Sequence, residues 1–300
     1  MGTNSVKLLV AEVGAGGLHP LAEKSEQTRL GRGFYETHLL LPEAIVLTAR
    51  AVSEFARTAR DLGASSTRVI ATSAARDAIN RASLIEAIQK GCGLTVEIIS
   101  GEAEAEMVFR GVATDPTLRG RRLLILDVGG GSTEFIVGEG EHHQFRQSFD
   151  IGTVRLLEKL RPADPPSAQD LKNCRAKLKE FVAQEIGAPI QSALGNGANV
   201  SLVGTGGTTT ILARMEKRMP AFTREEIEGT VITRERIVYW MDQLWSMSVE
   251  ERRNIIGVPP NRADIVPMGV AIYEALMEEF RFPAVFVSTR GLRFGALMPA

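Results

Sequence analysis

The sequence predicts an α/β protein built of two domains, and two observations carry this prediction. Short apolar runs rich in Val and Ile alternate along the 300 residues with longer stretches in which apolar residues recur at helical spacing. Each half of the chain also opens with an apolar strand, a turn of Gly, Ser and Thr, and a second apolar strand. We therefore expect two related domains, residues 1–120 and 121–300, a division that suits this length.

The composition is that of an ordinary soluble globular protein. With 44% apolar residues, 24% charged residues and a formal net charge of −1, the chain is neither disordered, fibrous nor histone-like. Its longest apolar run, from Leu123 to Leu126 and then Val128, has the length of a strand, and the N-terminus does not resemble a secretory signal. Cys92 and Cys174 are expected to be reduced thiols. We expect a cytoplasmic protein that binds neither membranes nor specific nucleic acids.

Strands and helices are predicted throughout the first half. The strands are expected at Val6–Val13, Arg68–Thr72 and Leu94–Ile99, where apolar and β-branched residues are concentrated. Pro42 stands at the start of a helix in which Ala51, Phe55 and Ala59 recur at helical spacing. The stretch Gly101–Val112 is rich in Ala and Glu and has no proline, which predicts a second helix.

The second half begins with a predicted meander of three strands and continues with alternating helices and strands. Its strands are expected at Leu123–Val128, Thr133–Val137, Gln144–Phe149, Val200–Val203 and Ala284–Ser288, and its helices at 153–160, 167–185, 234–247 and 261–280. In helix 234–247 the apolar face consists of Ile237, Met241, Leu244 and Trp245. Such a face is typical of a core or of a dimer contact.

The turn Gly129-Gly130-Gly131-Ser132 carries the strongest local signal. Apolar strands adjoin it on both sides, which argues against a flexible linker, and a tight hairpin needs fewer glycines. Successive glycines let the backbone approach a ligand, and their amides form a nest for an anion. Asp127, at the end of the buried strand, is placed to hold a hard cation such as Mg²⁺. Ser132 and Thr133 add hydroxyl donors and Glu134 a second carboxylate, so the pattern predicts phosphate binding.

Two further turns have the same character. Before the first strand stand Thr3, Asn4 and Ser5, and a predicted loop before a helix at Ile211–Met215 consists of Gly204, Thr205, Gly206, Gly207 and Thr208. A loop of Gly and Thr before a helix is an anion site because the N-terminal amides of the helix point toward the ligand. Taken alone this loop is equally a helix cap. Three such turns together predict a polyphosphorylated ligand held between the domains.

Charged side chains and histidines give weaker signals. Glu102, Glu104 and Glu106 begin a predicted helix, where the helix dipole favours carboxylates, so a solvated cap is the simpler interpretation. Glu102 and Glu106 share one helix face, and Glu104 lies on another. Arg76 follows a strand and by itself is typical of a surface arginine, although beside the glycine turns it could clamp a phosphate. His142-His143 lies in a polar turn and is expected to be solvated.

Several stretches of the chain occur in an order typical of one enzyme family. They are GTNSVKLLVAEV (2–13), RLGRGF (29–34), ATSAARDAIN (71–80), IISGEAEAEMVFRGV (98–112), LDVGGGSTEFIVG (126–138), GTGGTTTILA (204–213), NRADIVPMG (261–269) and STRGLRFGAL (288–297). Together they closely resemble the exopolyphosphatase and guanosine-pentaphosphate phosphohydrolase (Ppx/GppA) family over nearly the whole chain. The resemblance implies two ribonuclease-H-like domains of the actin, sugar-kinase and heat-shock-chaperone superfamily, with the active site in the cleft. It further implies Mg²⁺- or Mn²⁺-assisted hydrolysis of terminal phosphoanhydrides, and a homodimer.

The resemblance also assigns roles by position. The family's catalytic glutamate falls on Glu104, which would orient or deprotonate the attacking water. Asp127, also counted as catalytic, would bind the metal with Glu134. The amides of Gly129–Ser132 would cradle the terminal phosphoryl group and residues 204–208 would face it. Arg76 would stabilise the charge on the phosphoryl oxygens.

The sequence departs from the family pattern in two places. The first residue of the usual Glu-Glu-Ala is Ala103 here, a modest difference because the catalytic position is retained. The family also opens with a strand that ends in Asp, whereas Met1 stands at the hydrophobic position directly after that Asp. Either the native start lies upstream, or the site is altered and weaker. We favour an upstream start, because a missing central strand leaves neighbouring backbone groups unpaired.

These inferences favour an exopolyphosphatase that releases terminal orthophosphate from inorganic polyphosphate by metal-assisted attack of water, with guanosine pentaphosphate as a second substrate. A kinase of the same superfamily is one alternative, and a polyphosphate- or nucleotide-binding regulator with a weakened site is another. The glutamates at 100–106 and the stretch that begins at Ser288 favour the hydrolase. The net charge of −1 does not exclude a polyanionic ligand, because amides, a metal and a few arginines would bind it locally.

Overall fold

The computed structural model describes residues 1–14, 17–195 and 199–298. The chain divides into two compact units, Met1–Glu104 with the C-terminal residues from Ala296, and Ala105–Gly295. The division falls inside a helix, whereas the sequence prediction placed the joint after that helix, near residue 120. Among the described residues, no helix is both long enough and apolar enough to cross a membrane.

The first unit contains two small sheets and several helices. In chain order the elements are β1 (Val6–Gly14), β2 (Gly17–Glu26), α1 (Phe34–Thr37), α2 (Pro42–Asp61), β3 (Val69–Ala71), α3 (Ser73–Asp77), α4 (Arg81–Cys92), β4 (Val96–Ile98) and the start of α5 (Gly101–Ala113). β1 pairs antiparallel with β2, and β3 pairs parallel with β4. β2 is not among the strands predicted from the sequence, because it is largely exposed, contains Pro20 and lacks apolar alternation.

Helix α2 provides much of the core of the first unit. Pro42 occupies its first turn, and Ala51, Phe55 and Ala59 are buried as their spacing predicts. The helix packs against α4, whose Leu84 and Ile88 are buried in the same core. The apolar periodicity of α2 is therefore confirmed as a core-facing stripe.

The second unit combines one large sheet with helices. The remaining elements are β5 (Arg122–Val128), β6 (Thr133–Glu139), β7 (His142–Phe149), α6 (Thr153–Leu160), α7 (Ala168–Phe181), a π-helical turn (Val182–Ile186), α8 (Gly187–Leu194), β8 (Val200–Thr205), α9 (Gly206–Glu216), α10 (Arg224–Ile227), β9 (Val231–Thr233), α11 (Arg234–Ser246), α12 (Val249–Arg253), α13 (Val266–Glu279), β10 (Ala284–Val287) and α14 (Leu292–Gly295). Short 3₁₀ turns lie at Pro116–Leu118 and Pro260–Arg262.

The strands of the second unit that the structure describes form a single sheet in the order β7-β6-β5-β8-β10-β9. β5, β6 and β7 form the antiparallel meander that the sequence predicts. β8 pairs parallel with β5 on one side and with β10 on the other. The carboxyl ends of these three parallel strands therefore meet at one edge of the sheet, where ligands usually bind in α/β proteins.

The two faces of this sheet carry separate cores. Leu124 and Leu126 belong to the larger core, which includes Ile237, Met241, Leu244 and Trp245 of α11. Leu123 and Ile125 face the other side, with the part of α5 that lies in the second unit. The apolar face of α11 is thus part of the core rather than an exposed dimer contact.

Candidate functional site

A row of polar side chains crosses four strands of the large sheet. The strand register aligns, from one strand to the next, Ser148 of β7, Glu134 of β6, Asp127 of β5 and Thr205 of β8. Side chains at paired positions of adjacent strands point to the same face of a sheet. Asp127 and Glu134, which the sequence analysis predicted as a pair of carboxylates, therefore lie side by side.

Glu134 is only 1% exposed and is held by two serines. Its Oε1 accepts hydrogen bonds from Ser132 Oγ at 2.9 Å and from Ser148 Oγ at 2.8 Å. The hydroxyl of Thr133 donates to the carbonyl oxygen of Ile151 at 2.6 Å. The hydroxyls of Ser132 and Thr133 thus form internal bonds instead of the predicted ligand contacts. Their part in the site is structural, because they fix the carboxylate and the strand beside it.

The glycine turn after β5 is held by the start of α6. The backbone amides of Thr153, Val154 and Arg155, and the Nε of Arg155, donate to the three glycine carbonyls of Gly129–Ser132 over 2.7–3.1 Å. The amides of residues 130–132 donate to no backbone acceptor among the described residues. Successive amides in this state form a nest that suits an anion. The predicted anion-binding turn is thus a rigid one whose carbonyls are already engaged.

Gly152 makes this arrangement sterically possible. A β-carbon at position 152 would lie 2.6 Å from the carbonyl carbon and oxygen of Gly130 and 2.7 Å from the carbonyl carbon of Gly131. Only a residue without a side chain lets α6 approach the turn so closely. The sequence patterns predicted no role for Gly152 or Arg155. The available signal was a glycine directly before a predicted helix, a position typical of an N-cap.

The predicted loop at residues 204–208 is not a loop. Gly204 and Thr205 complete β8, and α9 begins at Gly206, well before the expected helix at Ile211–Met215. Gly and Thr have low helix propensity, which explains the error. Thr209 Oγ1 donates to the carbonyl oxygen of Thr205 at 2.7 Å, a contact that stabilises the first turn.

Three of the predicted ligand residues in this segment have structural roles. Thr208 Oγ1 donates to the carbonyl oxygen of Val128 at 3.0 Å and thereby joins α9 to the end of β5. Gly207 lies within the first turn of α9. Gly204 is packed so closely that a β-carbon would lie 2.5 Å from the hydroxyl of Tyr273. These residues therefore shape the junction of β8 and α9.

The carboxylate of Asp127 lies between two glycines. A β-carbon at Gly206 would overlap its Oδ1, and a β-carbon at Gly291 would lie 3.8 Å from its Oδ2. A β-carbon at Gly291 would also lie 2.9 Å from the hydroxyl oxygen Oγ1 of Thr205. This oxygen is buried and has no hydrogen-bond partner among the described residues. Gly291 follows β10, and the sequence analysis gave it no role because only the parallel pairing of the strands brings it to Asp127.

The donor atoms at this edge suit a hard cation that is shared with a phosphate. Mg²⁺ is usually bound by one or two carboxylates together with waters and substrate phosphates. Asp127, beside a Thr205 hydroxyl oxygen that has no hydrogen-bond partner in the described part of the chain, matches such a donor set. Among the described residues, no group of three or more His, Cys, Asp and Glu side chains could hold a metal. The residues therefore fit a metal that is completed by the substrate rather than one enclosed by protein ligands.

The first unit contains a second polar cluster, around Arg76. Its Nη1 lies 3.3 Å from Oε2 of Glu104 and its Nε lies 3.3 Å from Oδ1 of Asp77. Glu104 is 8% exposed, Glu102 is exposed and Glu106 is half-buried. A buried carboxylate paired with an arginine is not the solvated helix cap of the simpler interpretation, and Arg76 is not an isolated surface arginine.

The turn that contains Thr3, Asn4 and Ser5 is buried in the first unit. The carbonyls of Thr3 and Asn4 accept from the amides of Gly31 at 2.7 Å and Arg29 at 3.0 Å, and the carbonyl of Ser5 accepts from Gly2 at 3.0 Å. Oδ1 of Asn4 accepts from Gln27 at 3.0 Å, whereas its Nδ2 has no partner among the described residues. A buried donor without an acceptor is uncommon in proteins and marks Asn4 as a residue that can bind a ligand or water.

His142 and His143 begin strand β7 rather than lying in a turn. Nδ1 of His143 lies 3.3 Å from Oε2 of Glu106, so this histidine is not simply solvated. Glu106 also accepts from Arg110 at 2.8 Å and Arg146 at 2.5 Å. Burial raises the pKa of Glu106, but the hydrogen bonds from Arg110 and Arg146 and the charge of His143 outweigh it and hold the pKa below its ordinary value.

The chain matches the model of the Ppx/GppA phosphatase family over residues 9–299. Exopolyphosphatase 2 of Mycobacterium tuberculosis is 33% identical over 294 residues, which cover 93% of this chain and 89% of that protein. Guanosine-5'-triphosphate,3'-diphosphate pyrophosphatase of Vibrio atlanticus is 29% identical over 98% of this chain and 57% of its own length.

Solved structures of the family give the same result for the fold. An exopolyphosphatase from Cytophaga hutchinsonii has a TM-score of 0.88 at 28% identity and covers 99% of this chain and 94% of its own. The Aquifex aeolicus Ppx/GppA protein has a TM-score of 0.80 at 29% identity, and the match covers 99% of this chain and 94% of that one. The predicted α/β fold is therefore confirmed as that of the solved Ppx/GppA structures.

Proposed function

Because this chain belongs to the Ppx/GppA phosphatase family, we propose that it releases terminal orthophosphate from inorganic polyphosphate. Guanosine pentaphosphate is a second substrate in this proposal, since a relative at 29% identity is named for a guanosine pyrophosphatase activity. The observation that carries the proposal is the edge of the sheet in the second unit. The amides of residues 130–132 lie in the turn after β5, and the Asp127 carboxylate lies near the end of that strand. The Thr205 hydroxyl, which has no hydrogen-bond partner among the described residues, lies at the end of β8, which pairs parallel with β5.

The glycine turn is the proposed binding site of the terminal phosphoryl group. Its amides would donate to the phosphoryl oxygens, and they need no rearrangement because α6 and Arg155 already hold the carbonyls of the turn. Donors that are oriented in advance stabilise developing negative charge more effectively than water does. Asn4, whose amide nitrogen has no partner among the described residues, would donate to another phosphate oxygen.

Asp127 and Thr205 would hold Mg²⁺ or Mn²⁺, with Glu134 as the second carboxylate of the row. When bound, the ion would neutralise charge on the phosphate oxygens and make the phosphorus more electrophilic. The two serines that donate to Glu134 would keep its carboxylate in place during turnover. Gly206 and Gly291 would leave room around the Asp127 carboxylate for the ion and its waters.

Glu104 is the proposed general base. Its carboxylate would accept a proton from water as the water oxygen attacks the terminal phosphorus, and the bridging P–O bond would break with its electron pair going to the shortened chain. Arg76 would keep the Glu104 carboxylate oriented through its 3.3 Å contact and would stabilise charge on the phosphoryl oxygens. No acceptor other than water is needed in this scheme.

The proposal is tested by measuring orthophosphate release without any acceptor. The purified protein would be incubated with polyphosphates of defined length and with guanosine pentaphosphate, with Mg²⁺, with Mn²⁺ and with a chelator. We expect release only when the metal is present. A strict requirement for an acceptor would identify a kinase instead, and binding of polyphosphate without release would identify a regulator.

A further inference from the structure

The turn after β10, Ser288–Gly291, is fixed by a carboxylate that lies outside the predicted site. The amide of Thr289 donates to both oxygens of Glu228, at 3.2 Å to Oε1 and 3.0 Å to Oε2. The hydroxyl of Thr289 donates to Oε2 as well. Glu228 directly follows α10 and is only partly exposed. One carboxylate thus satisfies both hydrogen-bond donors of Thr289.

Arg224 completes this arrangement. It lies one helical turn before Glu228, with Nη1 3.7 Å from Oε2, and it donates a hydrogen bond to the hydroxyl oxygen of Thr289. Its guanidinium also lies over the ring of Phe294, 4.5 Å from the centroid. A carboxylate that accepts from both donors of one residue and has a neighbouring guanidinium is held in one orientation. The contact between Glu228 and Thr289 is therefore rigid rather than a transient surface pair.

The far end of the turn lies against the candidate site. A β-carbon at Gly291 would approach Oγ1 of Thr205 to 2.9 Å and Oδ2 of Asp127 to 3.8 Å. On its other side, a β-carbon at Gly111 of α5 would lie 2.9 Å from the carbonyl carbon of Gly291. The turn is therefore packed between α5 and the Asp127 carboxylate, and a shift of the turn changes the space beside that carboxylate.

From these contacts we infer that Glu228 is a positioning residue for the Asp127 site. It touches neither the proposed metal nor the substrate, and it acts through Thr289 on the turn whose Gly291 bounds the site. A carboxylate is required because a glutamine offers one acceptor oxygen in place of two and would direct an N–H group at the Thr289 donors. This inference rests on the proposed function, since it concerns the same metal and phosphate site.

The test compares Glu228→Gln with Glu225→Gln, a matched change at an exposed glutamate of α10. Binding of Mn²⁺ alone is measured by electron paramagnetic resonance, followed by kcat and KM for phosphate release and by Tm. We expect Glu228→Gln to weaken Mn²⁺ binding by about tenfold, the lower end of what outer-shell changes cause. We expect kcat to fall while KM for polyphosphate changes by no more than about twofold. Glu225→Gln is expected to match the wild type in all these quantities.

Each of the other outcomes overturns the inference. These are wild-type Mn²⁺ binding and kcat in Glu228→Gln, a lower Tm without any change in binding or kcat, and an absence of Mn²⁺ binding to the wild-type protein. If Glu228→Gln does not fold, Thr289→Val and Thr289→Ser decide instead: the serine variant retains the hydroxyl and should bind Mn²⁺ normally, and the valine variant should not. A wild-type protein that binds Mn²⁺ but releases no phosphate contradicts the proposed function and leaves the binding comparison valid.

Discussion

Oδ1 of Asp127 lies so close to Gly206 that a β-carbon at position 206 would overlap it, and that carbon would lie 3.1 Å from the carboxylate carbon. Gly206 also has a φ of 84°, a conformation that residues with side chains rarely adopt. Asp127 is the penultimate residue of β5 and Gly206 begins α9, and the parallel pairing of β5 with β8 brings them together. The Asp127 carboxylate and Gly206 are therefore in direct contact.

Replacement of Gly206 by alanine is expected to disturb this contact. The positive φ and the overlap with Asp127 should together lower the free energy of unfolding by about 1–3 kcal/mol and abolish most phosphate release. Urea unfolding and steady-state kinetics measure the two effects. Gly140→Ala is the matched control, because Gly140 has a φ of 61° but no atom within 4 Å of the added carbon. Equal losses of activity in both variants would show that the Asp127 contact has no special role.

Gly152→Ala is expected to displace the glycine turn. The added carbon would lie 2.6 Å from the carbonyl group of Gly130, so either α6 or the turn must move. Since the proposed phosphate donors are amides of this turn, kcat for phosphate release should fall about tenfold or more. Gly14→Ala, where none of the described atoms beyond the neighbouring residues lies within 4 Å of the added carbon, is the control and should retain full activity. An active Gly152→Ala variant would remove the turn from the proposed mechanism.

Glu104→Gln separates catalysis from binding. Glutamine keeps an acceptor oxygen for Arg76 but cannot take a proton from water, so kcat should fall by about two orders of magnitude or more. Binding of tripolyphosphate, measured by isothermal titration calorimetry, should stay close to that of the wild type. Glu102→Gln, at an exposed position of the same helix, should behave as the wild type. Full turnover in Glu104→Gln would exclude Glu104 as the general base.

The Glu106 cluster predicts a dependence of stability on pH. Its pKa is lowered in the folded state, so its stabilising contribution is complete above the unfolded value of about 4.3 and is lost as the pH falls through the folded pKa. Urea unfolding between pH 3 and pH 7 should therefore show a difference in the free energy of unfolding between the wild type and Glu106→Gln, and this difference should become smaller toward low pH. Glu141→Gln, at an exposed position, supplies the control. A difference in the free energy of unfolding that does not change with pH would contradict the charged role of Glu106.

The sequence predicted those elements whose signals are local. The helix from Pro42, the meander of β5, β6 and β7, and the buried face of α11 all follow from periodicity within one segment. The start of α9 was predicted wrongly because Gly206–Thr210 has low helix propensity and is stabilised by bonds from threonine hydroxyls to backbone carbonyls. The histidines of β7 were misplaced because the polar, exposed residues beside them resemble those of a turn.

The sequence by itself determined the α/β class, the family and the glycine turn between two apolar strands. Only the tertiary structure decided that Gly152, Arg155 and Gly291 lie around that turn and the Asp127 carboxylate. The physical reason is that these residues contact the site across packed elements that are distant in sequence. The parallel alignment of β5, β8 and β10 creates those contacts, and no local pattern of residues specifies that alignment.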